Sequence, residues 1–356
     1  MPLTATVIIP FHRNLQQLAQ SLQAARLAMP SAEIIIAADG AIEDCRPLAE
    51  ESSARVIEIA GPSGPSVARN RAAQVASGSI LLFVDADVVP APDSLQGLCE
   101  VLEAEPELGG VFGAYDLNPP EPNFMSQYKN LSHACVHELG NREAGTFWAG
   151  LGVVRTGAFR QVGGFDERFR RPSVEDIDLG YRLRRAGYRL RLDPRFRGKH
   201  LKKWTIASSI AIDIAARGVP WTQLIHRYGA LTNDLNTRHE LRWSVVLAYV
   251  LLISVLVTPF VFWAGFIAVT ALAALIVLNA SYYHWFVKRR GWAFAARVVP
   301  AHTLYHLCNG VSFVAGTIVH LGTRFGIRLP GALPETPWPS APVVERATSR
   351  PPSPVQ

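Results

Sequence analysis

The feature that most limits the fold of this chain is residues 244–287, a run without a single Asp, Glu, Lys or Arg. One bilayer crossing needs about 20 apolar residues, so the run is too long for one membrane helix. It fits a hairpin of two helices that turns near Pro259–Gly265. Arg238 and Arg242 precede the run, and Lys288–Arg290 follows it. Because basic residues favour the cytoplasmic side, both ends of the hairpin are expected to be inside.

Four regions follow from the distribution of apolar and basic residues. Residues 1–200 read as a globular domain, and residues 201–243 mix basic, aromatic and aliphatic side chains, as helices in a membrane interface do. Ordinary helices packed on the domain are the alternative. Residues 244–325 form a membrane region of two or three helices, in which the stretch 298–321 could span or lie re-entrant. Residues 326–356 are rich in Pro and are expected to be disordered.

Composition supports a membrane protein. The hydrophobic fraction is 49% and the mean hydropathy is +0.14, with most of the excess after Arg242. The net charge of +6 suits anionic membranes or nucleic acid. The basic residues cluster between Arg155 and Arg242 and beside the apolar segments, so lipids are the expected partners and nucleic acid is not.

The cysteines and the N-terminus indicate the compartment. The 4 cysteines form no Cys-x-x-Cys pair, so neither a zinc site nor a disulfide framework is expected. Residues 1–10 lack the basic start and long apolar core of a signal peptide. We therefore expect a multi-pass protein of the cell membrane with its first domain in the cytoplasm.

Residues 5–105 alternate strand and helix patterns, which predicts a parallel sheet with helices on both faces. Strands are predicted at 6–9, 33–37, 55–59 and 80–84, and helices at 15–27 and 67–76. Polar residues follow three of these strands, at Pro10–Arg13, Asp39-Gly40 and Asp85–Asp87. Parallel strands bring such ends to one edge of the sheet, where α/β proteins bind ligands.

The acids Asp85 and Asp87 follow the apolar strand 80–84 directly. Burying two carboxylates is costly unless a positive charge lies between them. A divalent cation with oxygen ligands, shared with the phosphates of a nucleotide, would supply that charge. Because Asp-x-Asp alone is a weak motif, two solvated acids in a loop remain the alternative.

Six short segments in a fixed order resemble glycosyltransferase family 2, the inverting GT-A enzymes that use nucleotide sugars. The resemblance covers most of residues 5–204. The segments are Val7–Pro10, Asp39-Gly40, Gly64–Asn70, Asp85–Asp87, Gly163–Glu167 and Glu175-Asp176. The implied fold is a GT-A (nucleotide-diphospho-sugar transferase) Rossmann-like α/β domain, followed by interfacial helices and C-terminal transmembrane helices.

On the donor side, the resemblance implies that Pro10, Asp39, Arg69 and Asp85 bind substrate. Asp39 would contact the nucleotide base, although it could instead form an Asp-Gly turn. Ala38 stands where most relatives have a second acid, so the identity of the base stays open. Arg69 would lie near the nucleotide or, alternatively, on a helix surface. Asp87 is the expected direct ligand of Mg²⁺ or Mn²⁺, with Asp85 a partner to metal, water or ribose.

On the acceptor side, the resemblance makes Asp176 the catalytic base that removes the proton of the acceptor hydroxyl. Glu175 would help to position the acceptor. Two acids in the first turn of a helix, stabilised by its dipole, are the alternative for both residues. A helix is predicted from Leu179 to Ala186.

Residues 200–204 resemble the Gln-x-x-Arg-Trp motif of membrane polysaccharide synthases. Trp204 would stack on the acceptor sugar or, alternatively, anchor in the membrane interface. Lys203 would meet the diphosphate, and His200 would approach the metal or a phosphate. Lysine cannot make the bidentate contact of arginine, so processive synthesis is in doubt.

The predicted function is transfer of a sugar, with inversion, from a nucleotide-sugar donor to a lipid or lipid-linked glycan acceptor at the cytoplasmic membrane face. A UDP-sugar is the favoured donor. The alternatives are a processive polysaccharide synthase and an inactive membrane scaffold. Retention of Asp39, Asp87 and Asp176 together argues against the scaffold.

Overall fold

The computed structural model describes residues 3–229, 235–327, 329–334 and 338. Its strands are β1 (Ala5–Phe11), β2 (Glu33–Asp39), β3 (Arg55–Ile59), β4 (Ile80–Val84), β5 (Val88–Pro90), β6 (Leu108–Tyr115), β7 (Leu151–Arg155) and β8 (Arg189–His200). The helices of the first domain are α1 (Leu15–Ala28), α2 (Arg46–Glu51), α3 (Pro65–Val75), α4 (Ser94–Ala104), α5 (Phe124–Leu139), α6 (Thr156–Gln161) and α7 (Glu175–Arg185).

All eight strands form one sheet in the order β3-β2-β1-β4-β7-β6-β8-β5. The first four are parallel, as expected. The parallel arrangement predicted for residues 5–105 is thus confirmed for the four predicted strands. Strand β7, which lies beyond that range, is antiparallel to both β4 and β6, so the complete sheet is mixed. The parallel half still brings the ends of β1, β2 and β4 to one edge.

Apolar side chains on both faces of the sheet form two cores. Strand β1 divides its residues between them: Val7 and Ile9 pack with α1 on one face, and Ile8 packs with α3 on the other. Every residue of β4 is buried. This explains why β4 reads as a continuous apolar run without alternation.

Within residues 106–200, where the sequence predicted only the helix from Leu179 to Ala186, the structure also contains β6, β7, β8 and α5. Glycines interrupt the apolar pattern of β6 and hide it from sequence reading. Gly113 is one that the packing requires, because a Cβ there would lie 2.3 Å from the Phe196 carbonyl oxygen. Helix α7 begins at Glu175 rather than at the predicted Leu179.

Between the sheet domain and the apolar region lies a continuous helical segment with an unusual middle. It runs through α8 (Ile206–Ala211), a π-helix (Ile212–Gly218) and α9 (Val219–Tyr228). The segment packs on α7, where the Trp221 indole donates to the Tyr181 hydroxyl at 3.0 Å. These helices therefore pack on the sheet domain, as the alternative interpretation of residues 201–243 expected. Their contact with a membrane interface stays a prediction.

The apolar region forms α10 (His239–Val257), α11 (Ala264–Leu278) and α12 (Ala280–Arg324) after a short 3₁₀ turn (Leu235–Thr237). The turn at residues 258–263 lies where the hairpin was predicted. Helices α10 and α12 are long and apolar enough to cross a membrane, which is weak support for an anchor; α11 is shorter. Helix α12 is interrupted at Gly291, where φ is 79°.

One carboxylate attaches this region to the sheet domain. Glu138 on α5 accepts hydrogen bonds from Arg289 at 2.8 Å and from the Trp285 indole, both on α12. Its other oxygen accepts from Arg197 on β8. The predicted disordered tail lies mostly outside the described residues, although Trp338 is described and donates to the Gly163 carbonyl at 2.6 Å.

Candidate active site

Strand pairing brings His200 to the acids that follow β4. In the register of β5 and β8, Val88 lies opposite His200. The Leu201 amide donates to the Asp87 carbonyl at 2.8 Å. As a result, His200 Nε2 lies 3.3 Å from Asp87 Oδ2. The structure therefore brings together two of the three predicted metal residues.

The orientation of His200 suits a metal ligand. Its ring stacks on Tyr115, with centroids 4.4 Å apart, and its Nδ1 lies 2.7 Å from Asn130 Oδ1. Because Nδ1 lies against Asn130, Nε2 is the ring nitrogen that faces Asp87. Burial alone would raise the pKa of Asp87. The charge and hydrogen bond of His200, together with the charge of Lys202, outweigh the effect of burial, so the pKa of Asp87 lies below its usual value. Asp87 is therefore ionised at neutral pH.

Arg69 joins the donor and acceptor sides of the site. It is 4% exposed, and its guanidinium donates to Asp85 Oδ1 at 2.6 Å and to Glu175 Oε1 at 3.1 Å. The guanidinium also lies 5.2 Å from the centre of the Phe165 ring. Sequence reasoning placed Arg69 near the nucleotide. In the structure it is a buried clamp between two carboxylates, and nucleotide contact stays a prediction.

Asp176 lies in the first turn of α7, next to the clamp. It accepts hydrogen bonds from the amides of Ile177 at 2.8 Å and Ala149 at 3.3 Å. Burial and the negative charge of Glu175 raise its pKa to about 7, against the opposing charge of Arg69. A carboxylate with such a pKa is suited to accept a proton near neutral pH.

Both carboxylate oxygens of Glu175 accept hydrogen bonds from the protein. One oxygen bonds to Arg69, and the other accepts from the Ser173 amide at 2.8 Å. The side chain is also buried. In this structure Glu175 orients Arg69, whereas its predicted contact with the acceptor stays untested.

Asp39 organises the loop before α3. Its two oxygens accept from the amides of Ser63 at 2.8 Å and Gly64 at 2.7 Å. Pro10, opposite Ala37 in the β1–β2 register, lies on the neighbouring strand. The alternative of an Asp-Gly turn describes only the chain at residues 39 and 40. The side chain of Asp39 mainly holds a loop that lies 24 residues further along the sequence. Its contact with a base stays a prediction.

The motif at 200–204 presents a different lysine from the one predicted. Lys203 is exposed, whereas Lys202 is half-buried and lies with its Nζ 4.4 Å from the centre of the Trp204 ring. Burial lowers the pKa of Lys202, and the charges of Asp87 and Asp85 oppose this. Trp204 is 4% exposed, which leaves little of its ring open to a sugar.

Arg217 is a second cation that sequence reasoning missed. It lies on the π-helix, is exposed, and forms no hydrogen bond or ion pair with the described residues. Its charge lowers the pKa of Asp176 and of Lys202, so it contributes to the electrostatics of both groups. The neighbouring Ala216 carbonyl accepts from the Ser173 hydroxyl at 2.6 Å, which ties the π-helix to the loop before Asp176. No motif signals this position.

The residues present suit a divalent cation shared with a ligand rather than a closed protein cage. Among the described residues, no three His, Cys, Asp or Glu side chains form a metal-binding group. Asp87 and His200 nevertheless offer an oxygen and a nitrogen at one point, with Asp85 two residues away. A cation there would take its remaining ligands from phosphate oxygens or water, as Mg²⁺ commonly does.

The fold resembles that of a solved mannosyltransferase. The chain aligns with PcManGT from Pyrobaculum calidifontis, solved with GDP-Man and Mn²⁺, at a TM-score of 0.52 and 16% identity over 91% of this chain and 88% of that one. At this identity the likeness concerns the fold alone. Together with the mixed sheet, it assigns the first domain a fold of the GT-A type.

Sequence comparison finds a family match over part of the chain. The model described as glycosyl transferase family 2 matches residues 6–163. The pre-mycofactocin glycosyltransferases of two Mycobacterium tuberculosis strains, CDC 1551 / Oshkosh and ATCC 25618 / H37Rv, are 30% identical over 203 residues. The match covers 53% of this chain and 41% of each relative. Residues 6–163 therefore match glycosyltransferase family 2, which confirms the predicted resemblance, and the chain spans less than half the length of the two relatives.

Proposed function

We propose that the protein is a membrane-bound glycosyltransferase that moves a sugar, with inversion, from a nucleotide-sugar donor to a lipid or lipid-linked acceptor at the cytoplasmic membrane face. A UDP-sugar is the favoured donor. The observation that carries the proposal is the Arg69 clamp, because it bonds Asp85 on the donor side and Glu175 beside Asp176. The clamp thus links a predicted cation residue, Asp85, to the residue that directly precedes the candidate base.

On the donor side, Asp87, His200 and Asp85 are the residues that would hold Mg²⁺ or Mn²⁺. When bound, such an ion supplies positive charge at the departing diphosphate. Lys202 and Arg217 add two further cations on this space. Fixed charges aimed at the place where negative charge develops are among the largest contributions to catalysis.

On the acceptor side, Asp176 is the proposed base. As the acceptor oxygen forms its bond to the anomeric carbon, the bond from that carbon to the diphosphate breaks, and Asp176 takes the proton of the acceptor hydroxyl. Attack from the face opposite the leaving group inverts the anomeric centre. General-base assistance of this kind contributes about 10²–10⁴-fold.

The acceptor is proposed to be lipidic because the apolar helices hold the site beside a bilayer. Helix α10 exposes Ile253, Val255 and Leu256, and the hairpin tip exposes Phe260 and Phe262. Exposed apolar surface of this extent is unfavourable in water. An enzyme with a soluble acceptor would gain little from it.

The experiment is Asp176→Asn in the membrane-embedded protein. Asparagine keeps the shape but cannot accept the proton, so transfer should fall by about 10²–10⁴-fold. Binding of UDP with Mn²⁺, measured by calorimetry, should change little because Asp176 does not contact the predicted cation residues. Mass analysis of the lipid extract reports the product and separates single transfer from polymerisation.

The matched control is Asp93→Asn, an exposed acid whose side chain caps nothing. It should keep both transfer and UDP binding. Full transfer activity in Asp176→Asn would contradict the assignment of the base. Loss of UDP binding in the same variant would mean that Asp176 acts on the donor side.

A further inference from the structure

A buried side chain on α5 contacts the edge of the His200 ring that does not face Asp87. Asn130 lies in the middle of α5, is 2% exposed, and places its Oδ1 2.7 Å from His200 Nδ1. The other ring nitrogen, Nε2, lies 3.3 Å from Asp87 Oδ2. The two nitrogens of this ring therefore have separate partners, a neutral amide on one side and a carboxylate on the other.

Two further contacts leave the His200 ring little freedom. The ring is stacked on Tyr115, with the centroids 4.4 Å apart and the two planes at 6°. The backbone is held by the pairing of β5 with β8, in which Val88 lies opposite His200. Because Tyr115 fixes the plane of the ring, the choice that remains is which nitrogen points toward Asp87. The contact with Asn130 makes that choice.

The atom of Asn130 that meets the ring also determines where the ring carries a proton. An amide oxygen accepts hydrogen bonds and does not donate them, so the proton of this 2.7 Å bond belongs to His200 Nδ1. The contact that a cation would replace is then the one between Nε2 and Asp87. Metal-binding histidines generally have this arrangement, in which the second ring N–H donates to an oxygen of the protein.

Packing alone does not explain an asparagine at this position. Asn130 Nδ2 is buried and forms no hydrogen bond within the part of the chain that the structure describes. A buried donor without a partner is unfavourable, and asparagine is a weak helix former. The nearby α5 residues Leu131, Ala134 and Cys135 are buried and apolar. Leucine would fill the same space without an unpaired amide, so the oxygen that meets His200 is the feature that distinguishes asparagine here.

We propose that Asn130 is a positioning residue, which holds His200 with Nε2 toward Asp87 and thereby sets the affinity of the site for Mn²⁺ or Mg²⁺. This role rests on the cation site of the proposed function and extends it to a side chain that contacts neither the cation nor the substrate. Loss of the oxygen partner behind a metal-binding histidine typically lowers metal affinity by about 10–100-fold. Sequence motifs do not reveal the role, because Asn130 precedes His200 by 70 positions.

A purely structural bond that ties α5 to the segment after β8 is the competing explanation. Ser126 provides a matched case, because it lies four positions before Asn130 on α5 and is also buried. Its hydroxyl accepts from the Trp204 amide at 2.8 Å. This bond ties the same helix to the same segment and does not involve His200. Removing each bond in turn therefore separates the orientation of His200 from the attachment of α5.

The test is calorimetric titration of the full chain in detergent with Mn²⁺ at saturating UDP. Asn130→Leu removes the acceptor at similar size, so the Kd for Mn²⁺ should rise about 10–100-fold. Asn130→Asp keeps an oxygen beside Nδ1 and should retain the affinity, as should Ser126→Ala. Asn130→Ser, which is too short to reach the ring, should show the same loss and replaces the leucine variant if that protein does not fold.

A double-mutant cycle tests whether Asn130 acts through His200. His200→Ala should itself weaken Mn²⁺ binding, and Asn130→Leu added to that variant should cause no further loss. Pulsed EPR of the bound Mn²⁺ gives a second readout, because a coordinated imidazole produces a nitrogen coupling. The coupling should be present in the wild type, absent in His200→Ala and diminished in Asn130→Leu.

The outcomes distinguish this role from the proposed function. An unchanged Kd in the leucine and serine variants of Asn130, an equal loss in Ser126→Ala, or a further loss in the His200→Ala background would overturn the positioning role and leave the cation site in place. Absence of a nitrogen coupling in the wild type would do the same. Failure of the wild type to bind UDP with Mn²⁺ would contradict the cation site of the proposed function and, with it, the role of Asn130.

Discussion

Arg69 shows how one residue can make a site out of separate motifs. Its guanidinium bonds a carboxylate after β4 and another at the start of α7, which are 90 positions apart in the printed sequence. Lysine could not replace it, because a single ammonium lacks the planar fork that reaches two carboxylates. Removing Arg69 would also leave buried acids without their counter-charge, which costs about 3–5 kcal/mol.

Arg217 gives a pH-dependent prediction at the same scale. The pKa of Asp176 is about 7, and the Arg217 charge lowers it. A base works when it is deprotonated, so kcat should rise with pH through about 7 in the wild type. Arg217→Gln removes the charge that favours the carboxylate, so the pKa of Asp176 should rise. The rising limb of the pH–rate profile should therefore move to higher pH.

The measurement is the pH–rate profile of both proteins at saturating donor. The activity lost in Arg217→Gln should be partly recovered as the pH is raised, whereas a merely structural loss would be equal at every pH. Arg71→Gln serves as the control and should reproduce the wild-type profile. An unmoved limb would show that Arg217 does not act on the base.

At the scale of elements, the π-helix and α9 depend on close approach to α12. Gly316 is one such point, because an added Cβ would lie 2.8 Å from the Val219 carbonyl oxygen. Gly316→Ala should push α12 away and cost about 1–3 kcal/mol. Because the π-helix carries Arg217, transfer should fall together with the melting temperature.

Gly157→Ala is the matched control, since nothing lies within 4 Å of an added Cβ at that helical position. It should leave both the melting temperature and transfer at wild-type values. Unchanged stability in Gly316→Ala would mean that the two helices can separate without cost. The melting temperature in detergent and transfer to a membrane acceptor are the two readouts.

Sequence reading succeeded for elements whose signals are local. The strands at 55–59 and 80–84 were predicted with their observed bounds, since 55–59 is rich in β-branched residues and 80–84 is a short apolar run between polar residues. Sequence reading failed for β6, where Gly113 admits the Phe196 carbonyl from β8, a contact that no local pattern encodes. The turn between α10 and α11 was predicted because residues 244–287 contain no charged side chain over a length that suits two helices.

The candidate site likewise contains residues that local motifs predict and residues whose roles depend on packing. Asp87, Asp176 and His200 lie in motifs, so their positions could be predicted. The roles of Lys202 and Arg217 could not be predicted, because they depend on packing. Lys202 lies against Trp204. Arg217 lies on a π-helix that is held in place by the Lys129–Asp213 ion pair of 2.7 Å. The role of Arg69 as a clamp likewise depends on where α7 begins.

At the scale of the whole molecule, the orientation of the hairpin can be tested. Phe260 at its tip is 88% exposed, whereas Leu27 on α1 is 73% exposed on the sheet domain. If α10 and α11 cross the bilayer, Phe260→Cys should react with an impermeant maleimide applied outside sealed cells, and Leu27→Cys should react only after permeabilisation. Protection of both cysteines until lysis would mean that the hairpin does not cross.

The hydrogen bonds of Glu138 affect which acceptors the protein could use. It holds α12 through Arg289 and Trp285 and holds β8, the strand that ends at His200, through Arg197. If α12 lies in a bilayer, as proposed, these bonds fix the height of the reaction centre above the membrane. The proposed enzyme would then select acceptors by length. We expect it to use an acceptor whose hydroxyl lies at the matching distance from its lipid anchor, and to reject shorter or longer homologues of the same chemistry.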